Sequence, residues 1–368
     1  MINALDLTSR AARALRREWI LKRGGILSAT FGMTYKCNLR CTTCGVWVRG
    51  ETDTLVELTT GEILEAARQL AELRVPQVIL VGSEPLLRRD SLEIIDGMRA
   101  LGLEVDVITN GTLFTERTSE RVVQASVRAI TVSIDGVGKR HDEVRGQERA
   151  WERAMAGLER LSAVKKRLKS RRPRLALHAT ISRLNADQLE ELSGLQESLG
   201  MEVSFQLASE TSLDEVHGSR LDGQVVAGEE FVSREGSFLP SDEDVRRIRA
   251  FLEKPGIIRK HPTLAILASM SDDDLRHGRF PVTGCRVVEG EILIDPYGFV
   301  RPCSHLEAYD YGNVRDQSVR DIWNGVKRKR MLDKVRTDMF PICDKCCQHG
   351  QNLSLGQKAR MILKLGAG

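Results

Sequence analysis

Between residues 26 and 209 the chain alternates short β-rich runs with helix-length amphipathic stretches. The predicted strands are Ile26–Tyr35, Gln77–Gly82, Glu104–Thr109, Arg128–Asp135, Arg174–Ser182 and Glu202–Ala208. Helical periodicity intervenes at 60–74, where Ile63, Ala67, Leu70 and Leu73 share a face, and at 186–199, with Leu189, Leu192, Leu195 and Leu199. Regular strand–helix alternation calls for a parallel sheet with crossover helices. Six such units predict an α/β fold of the open, partial (β/α)6 TIM-like barrel kind rather than a closed eight-stranded barrel.

In parallel α/β barrels the working residues gather at the carboxyl ends of the strands. Cys37 follows the first predicted strand and Gly82-Ser83-Glu84-Pro85 the second. Thr109-Asn110-Gly111 ends the third, and Ser133-Ile134-Asp135-Gly136 the fourth. Beyond them, residues 210–240 are glycine-rich and polar and read as a connector or lid. A helix restarts at Ser241 after Pro240.

The predicted divisions are an N-terminal helix over 1–25 and a core domain over 26–215. A connector with helical character follows over 216–279, then a small cysteine-rich domain over 280–350 and a C-terminal helix over 351–368. The first helix is amphipathic and arginine-rich over residues 5–22, unlike a signal peptide. No run approaches the roughly 20 apolar residues that a membrane span needs.

Composition changes little. Of 368 residues, 41% are hydrophobic and 29% charged, the range of soluble domains, and the net charge of +4 is too small to argue for nucleic acid. The run Lys327-Arg328-Lys329-Arg330 reads as a solvated helix face. Eight cysteines without an export signal point to metal ligation in a reducing cytoplasm rather than to disulfides.

Those cysteines carry the chemistry. Cys37, Cys41 and Cys44 form C-x3-C-x2-C in one short loop. Three thiolates can hold three irons of a cubane and leave the fourth open to a substrate or cofactor. Structural zinc wants a fourth donor, and the loop offers none. With this triplet the chain resembles the radical S-adenosylmethionine superfamily, and Gly82-Ser83-Glu84-Pro85-Leu86-Leu87 is similar to that family's Gly-Gly-Glu-Pro-Leu-Leu segment. The resemblance implies that the open iron chelates the methionyl end of S-adenosylmethionine. An electron from the [4Fe-4S] cluster then cleaves the sulfonium, giving a 5′-deoxyadenosyl radical that takes hydrogen from a substrate C–H bond.

The resemblance further assigns Gly82, Ser83, Glu84 and Pro85 to the methionyl amino group and Ser133 and Asp135 to ribose and carboxylate contacts. Asn110 joins the cofactor contacts, and Arg145 is a partner for the methionyl carboxylate. Read alone, residues 82–85 are a strand-to-helix turn, Ser133–Gly136 a turn signal, Asn110 a turn cap and Arg145 a surface arginine. Thr43 stands where the family usually has an aromatic residue, so adenine packing falls to Val46 or Trp47.

The C-terminal cysteines add Cys285-x12-Gly298-x4-Cys303 and Cys343-Asp344-Lys345-Cys346-Cys347, with a predicted hairpin at 292–300. This resembles the SPASM and twitch extensions of radical enzymes. It implies one auxiliary [4Fe-4S] cluster on Cys285, Cys303, Cys343 and Cys346, with Cys347 spare or exchanging with Cys346. A four-cysteine zinc site has the same donor count. His178 and Gln206 lie on predicted strands, facing either substrate or backbone, and His349 is read as a surface residue. The expected substrate is a small metabolite of sugar or aminocyclitol type, the alternative a ribosomally made peptide. The implied electron donor is an external flavodoxin or ferredoxin. A non-catalytic iron–sulfur or zinc protein is the competing class.

Overall fold

The structure is a computed structural model that describes residues 15–232, 236–282, 284–346 and 348. Most of the N-terminal helix predicted over residues 1–25, the C-terminal helix over 351–368, Cys347 and His349 lie outside the described residues; residues 15–22 are helical.

The six predicted strands form. They are β1 (Ser28–Gly32), β2 (Gln77–Val81), β3 (Glu104–Thr109), β4 (Ala129–Ser133), β5 (Arg174–Ile181) and β6 (Glu202–Leu207). Each pairs in parallel with the next in chain order. The short hairpin β7 (Arg220–Leu221) and β8 (Gln224–Val225) lies apart from that sheet. The cysteine-rich region then returns to the core. Its strand β9 (Glu291–Ile294) pairs in parallel with β1, and β10 (Val300–Arg301) closes the hairpin antiparallel, giving the order β10-β9-β1-β2-β3-β4-β5-β6. The hairpin predicted at 292–300 thus extends the barrel sheet by two strands.

Burial alternates along the strands. Phe31, Leu80, Val107, Val132, Leu177 and Phe205 enter the main core against the crossover helices. Thr60–Glu72 contributes Ile63, Ala66, Ala67 and Leu70, and Ala150–Arg167 contributes Ala154, Leu158, Leu161 and Val164. The alternate positions, among them Thr30, Thr131, Ser133, His178, Ser204 and Gln206, are half-buried. Parallel strands packed on both faces read as continuous apolar runs. Here the second face mixes these polar side chains with Ile79, Val81 and Ile108 and is less deeply buried.

The helix after Pro240 runs Asp242–Leu252, with Ser241 and Asp244 forming a capping box. The stretch read as a connector carries the short helix Leu213–Gly218 and the β7–β8 hairpin.

Candidate active site

The loop after β1 holds Cys37, Cys41 and Cys44 at the carboxyl edge of the sheet. It is tied to the end of β2 and to the helix Lys139–Arg145. Ser83 and Glu84 donate backbone N–H groups to the carbonyls of Thr34 and Lys36, at 3.0 and 3.2 Å. Gly82 makes this approach feasible: it sits at φ +121°, and a Cβ there would lie 2.6 Å from the Thr34 carbonyl oxygen. On the far side Arg40 and Thr42 donate to the carbonyls of Arg145 and Val144, at 3.2 and 3.0 Å. Gly146 lets that contact form, since a Cβ would meet Arg40 O at 2.0 Å.

Glu84 is fully buried, and desolvation pushes its carboxyl pKa upward. Its oxygens accept the Thr109 hydroxyl at 2.8 Å, Asn110 N–H at 2.8 Å and Leu86 N–H at 3.1 Å. It therefore staples the end of β2 to the end of β3, a role that the expected contact with an ammonium did not include. Asn110 caps its own turn by accepting from Thr112, and its amide donates to Asn38 Oδ1 at 2.9 Å. Asn110 therefore caps its own turn and is joined to the cysteine loop through Asn38.

Asp135 and Arg145, named separately from sequence, meet as an ion pair, Nη2 to Oδ2 at 2.8 Å. Asp135 Oδ1 accepts Thr180 N–H at 2.8 Å. The other guanidinium nitrogen of Arg145 reaches Cys41 Sγ at 3.8 Å. Arg145 is thus buried, not on the surface. Ser133 ends β4 opposite His178, whose Nδ1 is 2.9 Å from Ser204 Oγ. His178 lies on the second face of the sheet with Ser204 and Gln206. Trp47 packs beneath the Arg40 guanidinium, 4.9 Å from the ring centroid.

Burial pushes the Cys37 thiol up to about 11, and Cys44 also upward. Such thiols gain from a cationic core that holds them as thiolates. Among the buried polar atoms here that lack a protein partner are the Ser83 hydroxyl, Trp47 Nε1 and Arg145 Nε. They flank the cysteine loop where a ligand with amino and carboxylate groups would lie, so the residues fit the expected cofactor.

Cys285, Cys303, Cys343 and Cys346 line one cavity, with Val287, Val288, Val335, Met339 and Ile342 as apolar walls. Cys285 caps the helix Arg286–Gly290, accepting Val288 N–H at 3.5 Å. Burial and the neighbouring thiols hold Cys303 well above its ordinary pKa, and burial raises Cys343 to about 12. Four soft donors around a cavity with apolar walls fit a cubane. Among the described residues no three His, Cys, Asp or Glu side chains converge on a single metal-ion position.

Sequence reading missed one further cluster. Arg49, just beyond the cysteine loop, contacts Glu307 and lies 3.4 Å from Glu230 Oε1. Its guanidinium stacks 4.0 Å from the Tyr35 ring centroid. Glu230 and Glu307 lie 181 and 258 positions from Arg49, and no local pattern marks them.

A partial parallel barrel with three thiols after its first strand, and a four-thiol cavity on an appended hairpin, defines an iron–sulfur enzyme. The family model "Radical SAM superfamily" matches residues 32–192, and the SPASM model, an iron–sulfur cluster-binding domain, matches 285–347. The chain is 30% identical over 322 residues to the AdoMet-dependent heme synthase of Methanosarcina barkeri, covering 82% of each chain. It is 27% identical over 347 residues to the pre-heme d1 synthase of Dinoroseobacter shibae, covering 87% of this chain and 78% of that one. The fold is shared with SuiB of Streptococcus suis bound to its precursor peptide SuiA, at TM-score 0.62 and 15% identity, covering 94% of this chain and 77% of that one. The chain belongs to the radical S-adenosylmethionine superfamily and carries a SPASM domain. It is an enzyme that uses S-adenosylmethionine with a [4Fe-4S] cluster and an auxiliary cluster. No helix among the described residues is long and apolar enough to cross a membrane.

Proposed function

We propose that this enzyme abstracts hydrogen from a C–H bond of a small substrate of the tetrapyrrole class, bound over the second sheet face at Ser133, His178, Ser204 and Gln206. The observation that carries the chemistry is the buried Asp135–Arg145 pair set against Cys41 of a three-thiol loop. The relatives named as heme and pre-heme d1 synthases carry the substrate class; nothing in them favours a sugar or aminocyclitol.

Cys37, Cys41 and Cys44 hold three irons. With the fourth iron open to S-adenosylmethionine, the chemistry supplied at this site would be a 5′-deoxyadenosyl radical, the hydrogen abstractor. Arg145 keeps one arm on Asp135 and turns its Nε edge to the methionyl carboxylate. Ser83 and the backbone of residues 82–85 take the amino group. Asn110 holds the loop through Asn38, while Ser133 and Asp135 border the ribose. Cys285, Cys303, Cys343 and Cys346 hold the auxiliary cluster. A low-potential flavodoxin or ferredoxin in a reducing cytoplasm supplies the electron, and nucleic acid is not a partner.

The test is anaerobic incubation of dithionite-reduced holoenzyme with S-adenosylmethionine and, in parallel, an iron porphyrin bearing propionate groups, an aminocyclitol and a peptide pool. Release of 5′-deoxyadenosine should rise with the porphyrin alone, together with a mass change in it. Stimulation by peptide alone sinks the small-substrate reading, and no cleavage in any arm sinks the cofactor assignment.

A further inference from the structure

Two buried polar side chains, one lining the four-cysteine cavity and one alongside the strand that leads into it, have no hydrogen-bond partner in the protein. His305 lines the cavity, is 4% exposed, and leaves both ring nitrogens without a hydrogen bond. Its ring is fixed by Phe231, at 4.3 Å between centroids. Its backbone N–H is directed at the Cys303 thiol. Tyr311 is 5% exposed and its hydroxyl is also unpartnered. Its backbone N–H donates to the Val300 carbonyl at 2.8 Å, which sets it alongside the strand that leads into Cys303. Leaving such a group unsatisfied is costly, so two in this region imply an acceptor that the polypeptide does not provide.

Resting on the assignment of Cys285, Cys303, Cys343 and Cys346 as cluster ligands, we infer that the His305 ring N–H and the Tyr311 hydroxyl donate hydrogen bonds to sulfur atoms of the auxiliary cluster. Neither residue ligates iron; both are positioning residues. Reduction adds negative charge that spreads over the sulfurs, and a donor aimed at sulfur stabilises the reduced form more than the oxidised one. The two side chains therefore raise the reduction potential of this cluster. They poise it to accept an electron rather than serve as inert scaffolding.

The experiment uses the full chain with Cys37, Cys41 and Cys44 changed to alanine, so that the auxiliary cluster alone remains. In that background His305→Phe preserves the stack on Phe231, and Tyr311→Phe removes one oxygen atom. Iron and sulfide content should stay at the parent level in both. An EPR-monitored redox titration should show a more negative midpoint for each, and more negative still for the pair. Unchanged midpoints at full cluster content overturn the inference. So does loss of iron on His305→Phe with Tyr311→Phe intact, which would make His305 a ligand. Iron content undiminished by Cys303→Ala and Cys343→Ala would instead topple the ligand assignment beneath it.

Discussion

Removing one partner of the Asp135–Arg145 pair strands the other in a site nearly closed to water. The two side chains retain 5% and 11% exposure. Breaking a buried pair from one side costs about 3–5 kcal/mol, most of it the unpaired charge left behind. Arg145→Ala should lower unfolding free energy by about that amount in urea titrations of the apoprotein. The double change Asp135→Ala with Arg145→Ala should lose less than the sum of the singles, because neither then leaves an orphan charge. Additive losses would mean that the two residues act independently. At this scale legibility was uneven. The seven described cysteines could be grouped from spacing alone, since their chemistry is local to two short segments and one hairpin. Asp135 and Arg145 were visible as candidates, but not their pairing, because ten residues of loop and helix set its geometry. His305 and Tyr311 carried no signal beyond proximity to Cys303 in the chain.

Loops after strands, rather than the strands, decide whether the three thiols converge. Gly82 is the element-level test. At φ +121° a side chain strains the backbone by about 1–3 kcal/mol, and its Cβ would press on the Thr34 carbonyl. Gly82→Ala should therefore push the β1 and β2 loops apart. Its expected signature is lowered iron–sulfide content after reconstitution, confined to the cofactor-binding cluster, with the auxiliary EPR signal retained. Equal loss of both signals would indicate global destabilisation instead. The strands themselves could be read with errors of a few residues at their ends, because an apolar face every second residue is a local property. The insertion of β9 beside β1 could not. The Glu291–Ile294 run reads as a hairpin strand whichever sheet it joins, and its partner lies some 260 residues earlier.

Arg49, Glu230 and Glu307 join three parts of the molecule: the helix after the cysteine loop, the connector, and the loop that carries Cys303. Desolvation and repulsion from Glu230 push the Glu307 carboxyl up to about 8, against the pull of Arg49. The sign follows from linkage. A carboxyl with a raised folded pKa binds more protons folded than unfolded, so stability falls as pH rises. The window opens near the unfolded glutamate value, about 4.3, and closes near the folded one. Within it the slope from one proton is at most about 1.4 kcal/mol per pH unit. Glu307→Gln keeps an acceptor for Arg49 and adds an amide donor for Glu230, but cannot ionise. The variant should match the parent near pH 5 and exceed it in melting temperature near pH 9, with a flatter profile between. If parent and variant profiles run parallel across that range, Glu307 does not take up the proton on folding. The three-way contact would then hold the cysteine loop to the SPASM domain through the Arg49 ion pairs alone.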